Sequence, residues 1–556
     1  MKKKWFSSIM AIALTGTMIL VGCGGSSSPS GSAAESTASA AAEAASAAEE
    51  EAAAESESAA ESEAPAEEAA SGEEKHLNFG IYWFGDDLDP GNGWNGWTLT
   101  RAAVGETLVT VNENLEFVGQ LADEWETEDD NVTWRFHIRD GVTFQNGNVC
   151  DAEAVVGSIK RSLEVNDRGQ TNLKLESVEA DGDWVVFKTE APYGAFLANL
   201  TEPLFTIVDT SVDTSDYGNH PICTGPYMVT SFEPDVSFDA VAYPGYWGGK
   251  PGLDSITCYN LPDDNSRAMA LQSGELDMMQ RVTSTDLTLF EGNDEYEVQM
   301  ATGTRVRFLF MNAAKAPFDD ANIRHAFSAA VNYDAIAASV GGGVSGVGSP
   351  FPPSATFYTN LNRQAYDPDA AADYLEKAGY TDSDGDGFVD KGGEKLTVTV
   401  LVSSSATASG DDKTLAEMVQ NQVKACGIDL QISMSENVSD AEAAGDFQLV
   451  FGNWQTLSTG DPQWFLDQVF KTGATDNYGG YSNADLDEQI DQLSNTFDVD
   501  GRMALAEKAS QIIIDEAFGS YLIDVTNINV CHSYVKNMST FPIDYYFLTP
   551  QTTVEK

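Results

Sequence analysis

Val132-Thr133-Trp134-Arg135-Phe136-His137-Ile138 alternates apolar and polar side chains with the period of a half-buried strand. A few residues on, 152–163 repeats apolar positions every three and four, the period of a helix packed by one face. Asp151 stands just before that run, where its carboxylate can accept an orphan amide of the first turn. Strand and helix so close together predict a mixed α/β body. Working outward, 77–81, 184–187, 305–310 and 396–402 read as further strands. Helices are expected at 322–340, 368–378, 413–426, 483–495 and 502–516, with Pro368 after Asp367 suited to a first turn. No tandem repeat is visible.

Lys2, Lys3 and Lys4 precede an apolar run at 9–20 that is too short and too poorly flanked to remain as a membrane span. It ends in Leu20-Val21-Gly22-Cys23, which predicts a signal peptide at 1–22 and lipidation of the Cys23 thiol. Several acyl chains at one point anchor a protein without a spanning helix, so an extracytoplasmic, membrane-held location is expected, on a Gram-positive type of surface. Residues 23–75 are rich in Ser, Ala, Gly and Glu and contain no aromatic residue. Such a segment cannot repay its ordering entropy, and its unpartnered glutamates repel, so it is expected to be a disordered tether.

The body, 76–556, is longer than one core usually supports, and two or more lobes are expected. With 87 acidic against 30 basic residues the net charge is -57, which argues against a nucleic-acid partner. Beyond Cys23 the cysteines are scattered singly and the histidines lack ligand spacing, so no zinc site is expected. Asp382-Ser383-Asp384-Gly385-Asp386 mimics the start of a calcium loop, but Gly393 stands where the bidentate glutamate is required; a solvated turn is favoured.

An ordered series carries a resemblance: Glu106-Thr107-Leu108-Val109, Leu121-Ala122-Asp123-Glu124-Trp125, 134–144, Thr224-Gly225-Pro226-Tyr227, Tyr246-Trp247-Gly248, Ala270-Leu271-Gln272-Ser273-Gly274-Glu275 and Ile323-Arg324-His325-Ala326-Phe327. It is similar to the family 5 extracellular solute-binding proteins, the peptide- and nickel-type receptors of ABC importers. The resemblance implies a periplasmic-binding-protein-like fold of the large three-domain type II form. One lobe would gather 76–115, 220–304 and 525–556, with 116–219 appended to it; 305–524 would form the other. The chain would then cross between lobes near 303–305 and 521–525, a two-crossing hinge around a ligand cleft. Such a receptor is a monomer with permease subunits as partners, and it needs no cofactor and no catalytic group.

Cleft residues follow from the same resemblance. Trp94 and Asn95 lie in a glycine-rich loop expected to line the pocket, although a loop tryptophan also serves to plug a core. Trp454, Gln455 and Asp461 follow an apolar strand, at the end where α/β clefts hold ligand. Peptide receptors of this family place an aspartate in that stretch to hold the peptide amino group, whereas Leu457 and Ser458 stand here. Asp461 is a substitute or a turn cap. Ser403 and Ser404 end another strand and offer hydroxyls or cap a turn, and Arg305 can clamp a carboxylate.

No nucleophile elbow, phosphate-cradling loop or paired-histidine motif supports an enzyme. The expected function is capture of a small extracellular solute, a short peptide first, by lobe closure and its delivery to an ABC permease. The alternatives are a nickel-chelate or other polar-solute receptor and a peptide-signal sensor without transport, with an extracellular enzyme behind them.

Overall fold

Strand Tyr296–Met311 is the axis of the largest sheet in the computed structural model, which describes residues 74–404 and 412–556. Its first half pairs with Ser520–His532, and its second half is flanked by Ser520–His532 on one edge and Leu449–Gln455 on the other. Beyond Leu449–Gln455 come Thr397–Ser403 and then Asp429–Ser435, both parallel to it. Beyond Ser520–His532 come Met278–Met279, His76–Ile81, Ser255–Asn260, Ser237–Ala242 and Tyr227–Glu233, completing ten strands. A separate four-stranded sheet contains Thr133–Ile138, whose side chains alternate between buried and half-buried as its sequence predicts.

The apolar cores follow chain segments. Residues between 306 and 523 build two, one around Phe308, Phe310 and Phe465 and the other around Leu309, Ile323 and Val419. Residues between 108 and 207 fill a third around Phe136, Phe187 and Phe196. A fourth joins Leu77, Phe79 and Ile256 to Cys531 and Phe547 near the chain end. Each fully buried Phe contributes about 1.5–3 kcal/mol relative to exposure, so every segment has its own driving force. Cys150, Cys223, Cys258 and Cys531 are among the buried residues, and no described cysteine is paired.

Helix starts obey their caps: Asp151 accepts from the Ala154 amide at 3.0 Å and Asp367 from the Ala370 amide at 2.9 Å. The helix expected at 322–340 is instead two, Ala321–Ala329 and Tyr333–Val340. Asn332 breaks it: its backbone leaves the helical region and its side chain caps the second helix through the Ala335 amide at 2.9 Å.

Where Tyr296–Met311 and Ser520–His532 run side by side, their register slips between Thr302 and Val306 and again after Arg307. Gly303 sits in the first irregularity. A Cβ there would lie 2.2 Å from the Val525 carbonyl oxygen, so only glycine lets the strands approach this closely.

Candidate functional site

Arg305 and Gln455 are direct partners across two paired strands, and both side chains reach Asp544, near the end of the chain. Arg305 Nε donates to Asp544 Oδ2 at 3.0 Å and Gln455 Nε2 to Oδ1 at 2.7 Å. Tyr82, immediately after strand His76–Ile81, donates its hydroxyl to Oδ2 at 2.9 Å. Arg101 closes helix Gly96–Arg101 and lies behind these groups, its Nη2 3.3 Å from the Tyr82 hydroxyl and 3.9 Å from Asp544 Oδ1. Burial alone would raise the Asp544 carboxyl, but Arg305 and Arg101 outweigh it and hold the group below the ordinary carboxylate value. Arg101 is 0 % exposed, and its Nε and Nη1 have no hydrogen-bond partner. Its guanidinium instead packs among the Tyr82, Trp83 and Trp97 rings, whose centres lie 5.2, 5.8 and 5.9 Å away.

Aromatic side chains wall the same region. Trp97 packs on Tyr545 with ring centres 5.1 Å apart, on Trp94 at 5.0 Å and on Trp83 at 6.4 Å. The Trp97 indole donates to Glu202 Oε1 at 3.0 Å, and Arg168 donates to the same oxygen at 2.9 Å while lying 3.2 Å from the Trp94 ring centre. Trp94 remains 40 % exposed, with Arg168 covering one face of its ring. Asn95 is buried and donates to Asp87 Oδ1 at 2.7 Å, which pins the loop against Gly85. A connected chain of contacts therefore runs from Trp94 through Trp97 and its neighbours to Arg101, Asp544, Arg305 and Gln455, with flat apolar faces beside guanidinium and amide donors.

The other expected residues lie elsewhere. Asp461 is buried and takes two bonds from Arg502, Nε to Oδ2 and Nη2 to Oδ1, each at 2.7 Å, so its carboxylate is committed to an internal ion pair. Trp454 is half-buried and packs against the core around Phe308 and Phe310, 5.9 Å from Trp464 and 6.1 Å from Phe465. Ser403 ends its strand opposite Ser435, and exposed Ser404 donates its amide to the Ser435 carbonyl at 2.9 Å. Ser405, the signal peptide, Cys23 and nearly all of the tether lie outside the described residues. Asp382, Asp384 and Asp386 bring oxygens within 4.8 Å of one another, yet Asp382 caps the Gly385 and Gly387 amides and Lys395 sits 3.0 Å from Asp386, the pattern of a solvated turn.

Sequence reading missed Tyr82, Trp83, Arg101, Arg168, Glu202 and Asp544. For the first two a signal existed, since Tyr82-Trp83 directly follows a strand at its carboxyl end. Asp544 carried none beyond its aromatic neighbours Tyr545 and Tyr546.

Residues 116–477 match the family model described as bacterial extracellular solute-binding proteins, family 5 Middle. A nickel-binding protein NikA of Staphylococcus aureus is 24 % identical over 461 residues, covering 82 % of this chain and 90 % of its own. A glutathione-binding protein GsiB of Pectobacterium atrosepticum is 27 % identical over 430 residues, 74 % of this chain and 80 % of its own. The crystal structure of a nickel ABC transporter protein from Bacillus halodurans superposes with a TM-score of 0.73 at 30 % identity, over 86 % of this chain and all of its own. No helix among the described residues is long and apolar enough to cross a membrane. The chain belongs to the bacterial extracellular solute-binding proteins of family 5, and it is a solute-binding protein of ABC importers rather than an enzyme.

Proposed function

We propose that this protein, held at the membrane by lipid on Cys23, closes two lobes on a short peptide and delivers it to the permease of an ABC importer. The first lobe comprises 76–115, 220–304 and 525–556, with 116–219 appended, and the second comprises 305–524. What carries the reading is the meeting at Asp544 of Tyr82 and Arg101 from the first lobe with Arg305 and Gln455 from the second. A ligand in such a place touches both lobes only when they are together, so its preference for the closed form supplies the free energy of closure. Trp83, Trp97 and exposed Trp94 offer the flat faces that side chains of varied peptides can use without a fixed register. Trp94, Arg305 and Gln455 are the expected ligand residues that best fit this role.

A second reading, a metal chelate, draws support from Asp461. With its carboxylate engaged by Arg502, and with Leu457 and Ser458 beside it, that stretch lacks a free carboxylate to hold a peptide amino group. Native mass spectrometry of the purified body separates the two. A ladder of masses differing by amino-acid residues is expected; a single metal-containing adduct would replace the peptide reading with the chelate one.

A further inference from the structure

Residues 116–219 supply no member of the Asp544 cluster, yet they touch 305–524 at a place of their own. Gly194 donates its amide to the Ser494 carbonyl at 2.9 Å, at the carboxyl end of helix Ala484–Ser494, where the last carbonyls have no partner within the helix. Lys174 Nζ lies 3.3 Å from Asp467 Oδ2 and 4.2 Å from the Tyr193 ring centre. Phe497, just past the same helix, packs on the core around Phe136, Phe187 and Phe196, its ring centre 5.9 Å from that of Trp134.

Gly194 is demanded by this contact rather than by its own backbone. Its φ lies outside the left-handed region, so no conformational need selects glycine there. A Cβ would overlap the Thr496 carbonyl oxygen and Arg502 Nη1 and lie 3.0 Å from the Leu493 carbonyl oxygen, and all three atoms belong to the opposite segment. The receiving surface is stiff: Arg502, held by Asp461, donates Nη1 to the Leu493 carbonyl at 2.6 Å and to the Thr496 carbonyl at 2.9 Å. The buried pair at Asp461 thus braces a docking surface. Adhesion across it is thin. Lys174 is 39 % exposed, an exposed ion pair is weak and screened by salt, and backbone groups that part can turn to water. Behind the contact the cores are filled separately, from 108–207 and from 306–523. A close fit with weak adhesion between separately packed bodies suits a contact that forms and breaks.

We propose that the appended segment 116–219 is a closing latch: Gly194, Lys174 and Trp134 dock on Ser494, Asp467 and Phe497 when the lobes come together and part from them when the lobes open. The inference rests on the closing reading above but not on the identity of the solute. Because the latch is weak, it steadies the closed form without holding it shut, and the ligand still decides the equilibrium.

Carbodiimide treatment of the full chain condenses a lysine amine with a carboxylate while the two are in contact, so the Lys174–Asp467 cross-link counts latched molecules. Mass spectrometry compares it with the cross-link between Lys188 and Glu176, an ion pair 2.8 Å apart that lies wholly within the appended segment. Gly194→Ala is expected to keep the native melting temperature, since parting relieves the overlap, and to lower the Lys174–Asp467 cross-link about tenfold against that internal standard. Phe497→Ala, which empties the contact from the other side without a clash, is expected to lower it severalfold. Native cross-linking in either variant, or a Gly194→Ala chain that melts early or fails to fold, would mark a permanent interface and overturn the proposal. Closure itself is read separately, by solution scattering of the chain as isolated and after refolding from denaturant. Dimensions that differ while both variants cross-link like the native chain would sink the latch alone; equal dimensions would sink the closing reading with it.

Discussion

Asp461 shows how a residue with a suitable side chain in a suitable stretch is spent on structure. Both of its oxygens face Arg502, and both side chains are nearly sealed from water, with 4 % and 8 % exposure. Asp461→Ala would strand a buried guanidinium, at a cost of about 3–5 kcal/mol. Urea unfolding is expected to show that loss, with solute still bound by the folded fraction; lost binding at unchanged stability would place Asp461 in the cleft after all. Asp524 makes a different prediction. It lies opposite Val306, its Oδ2 has no partner, and burial raises its carboxyl to about 6. The native state therefore holds its proton more tightly than the unfolded chain, so stability is lost as pH rises from the ordinary value of 3.8 through 6. Relative to the native sequence, Asp524→Asn should gain about 2–3 kcal/mol between pH 4 and pH 8. Equal pH dependence of the two proteins in denaturant titrations would refute this.

At the scale of elements, Gly303 carries the sharpest expectation. An added methyl would meet the Val525 carbonyl at 2.2 Å in the irregular stretch where Tyr296–Met311 and Ser520–His532 run together. Gly303→Ala should cost about 1–3 kcal/mol through forced strand separation and should slow or weaken solute capture as well. A variant with native melting temperature and native affinity would show that the ribbon tolerates the change. Elements of this kind were largely legible because their determinants are local: alternation marks Thr133–Ile138, and caps at Asp151 and Asp367 start their helices where expected. The broken helix at Asn332 failed for an equally local reason, since apolar periodicity continues through a residue whose side chain prefers to cap. The candidate site was only partly legible. Arg305 and Gln455 could be picked out at strand ends, but their partner Asp544 is 239 and 89 residues away, and no spacing rule relates them. Trp454, picked out beside Gln455, alternates to the other face of the same strand and joins the core, so loss of binding in Trp454→Ala would report packing as much as contact.

For the whole molecule, one continuous sheet would have to serve a receptor that is proposed to open. The two long strands are the route by which the ten-stranded sheet continues from one set of cores to the other, and their pairing is interrupted between Thr302 and Val306. In the proposed closure, interrupted hydrogen bonding would let a few residues absorb a rotation while the cores on either side, each separately packed, stay rigid. A polar cluster at Asp544 suits such motion better than an apolar one, because its groups can exchange partners with water on opening instead of exposing a greasy seam. Closure should then be visible as a change in overall dimensions. Solution scattering of the body, first stripped of any retained solute by reversible unfolding and then resupplied with it, is expected to give a smaller radius of gyration on binding. Arg305→Met, which removes a contact between the two sides without touching either set of cores, should leave the stripped form unchanged and reduce the contraction at a given solute concentration. Identical dimensions with and without tightly bound solute would mean that the interrupted ribbon is a packing irregularity and that recognition by the permease reads the ligand itself.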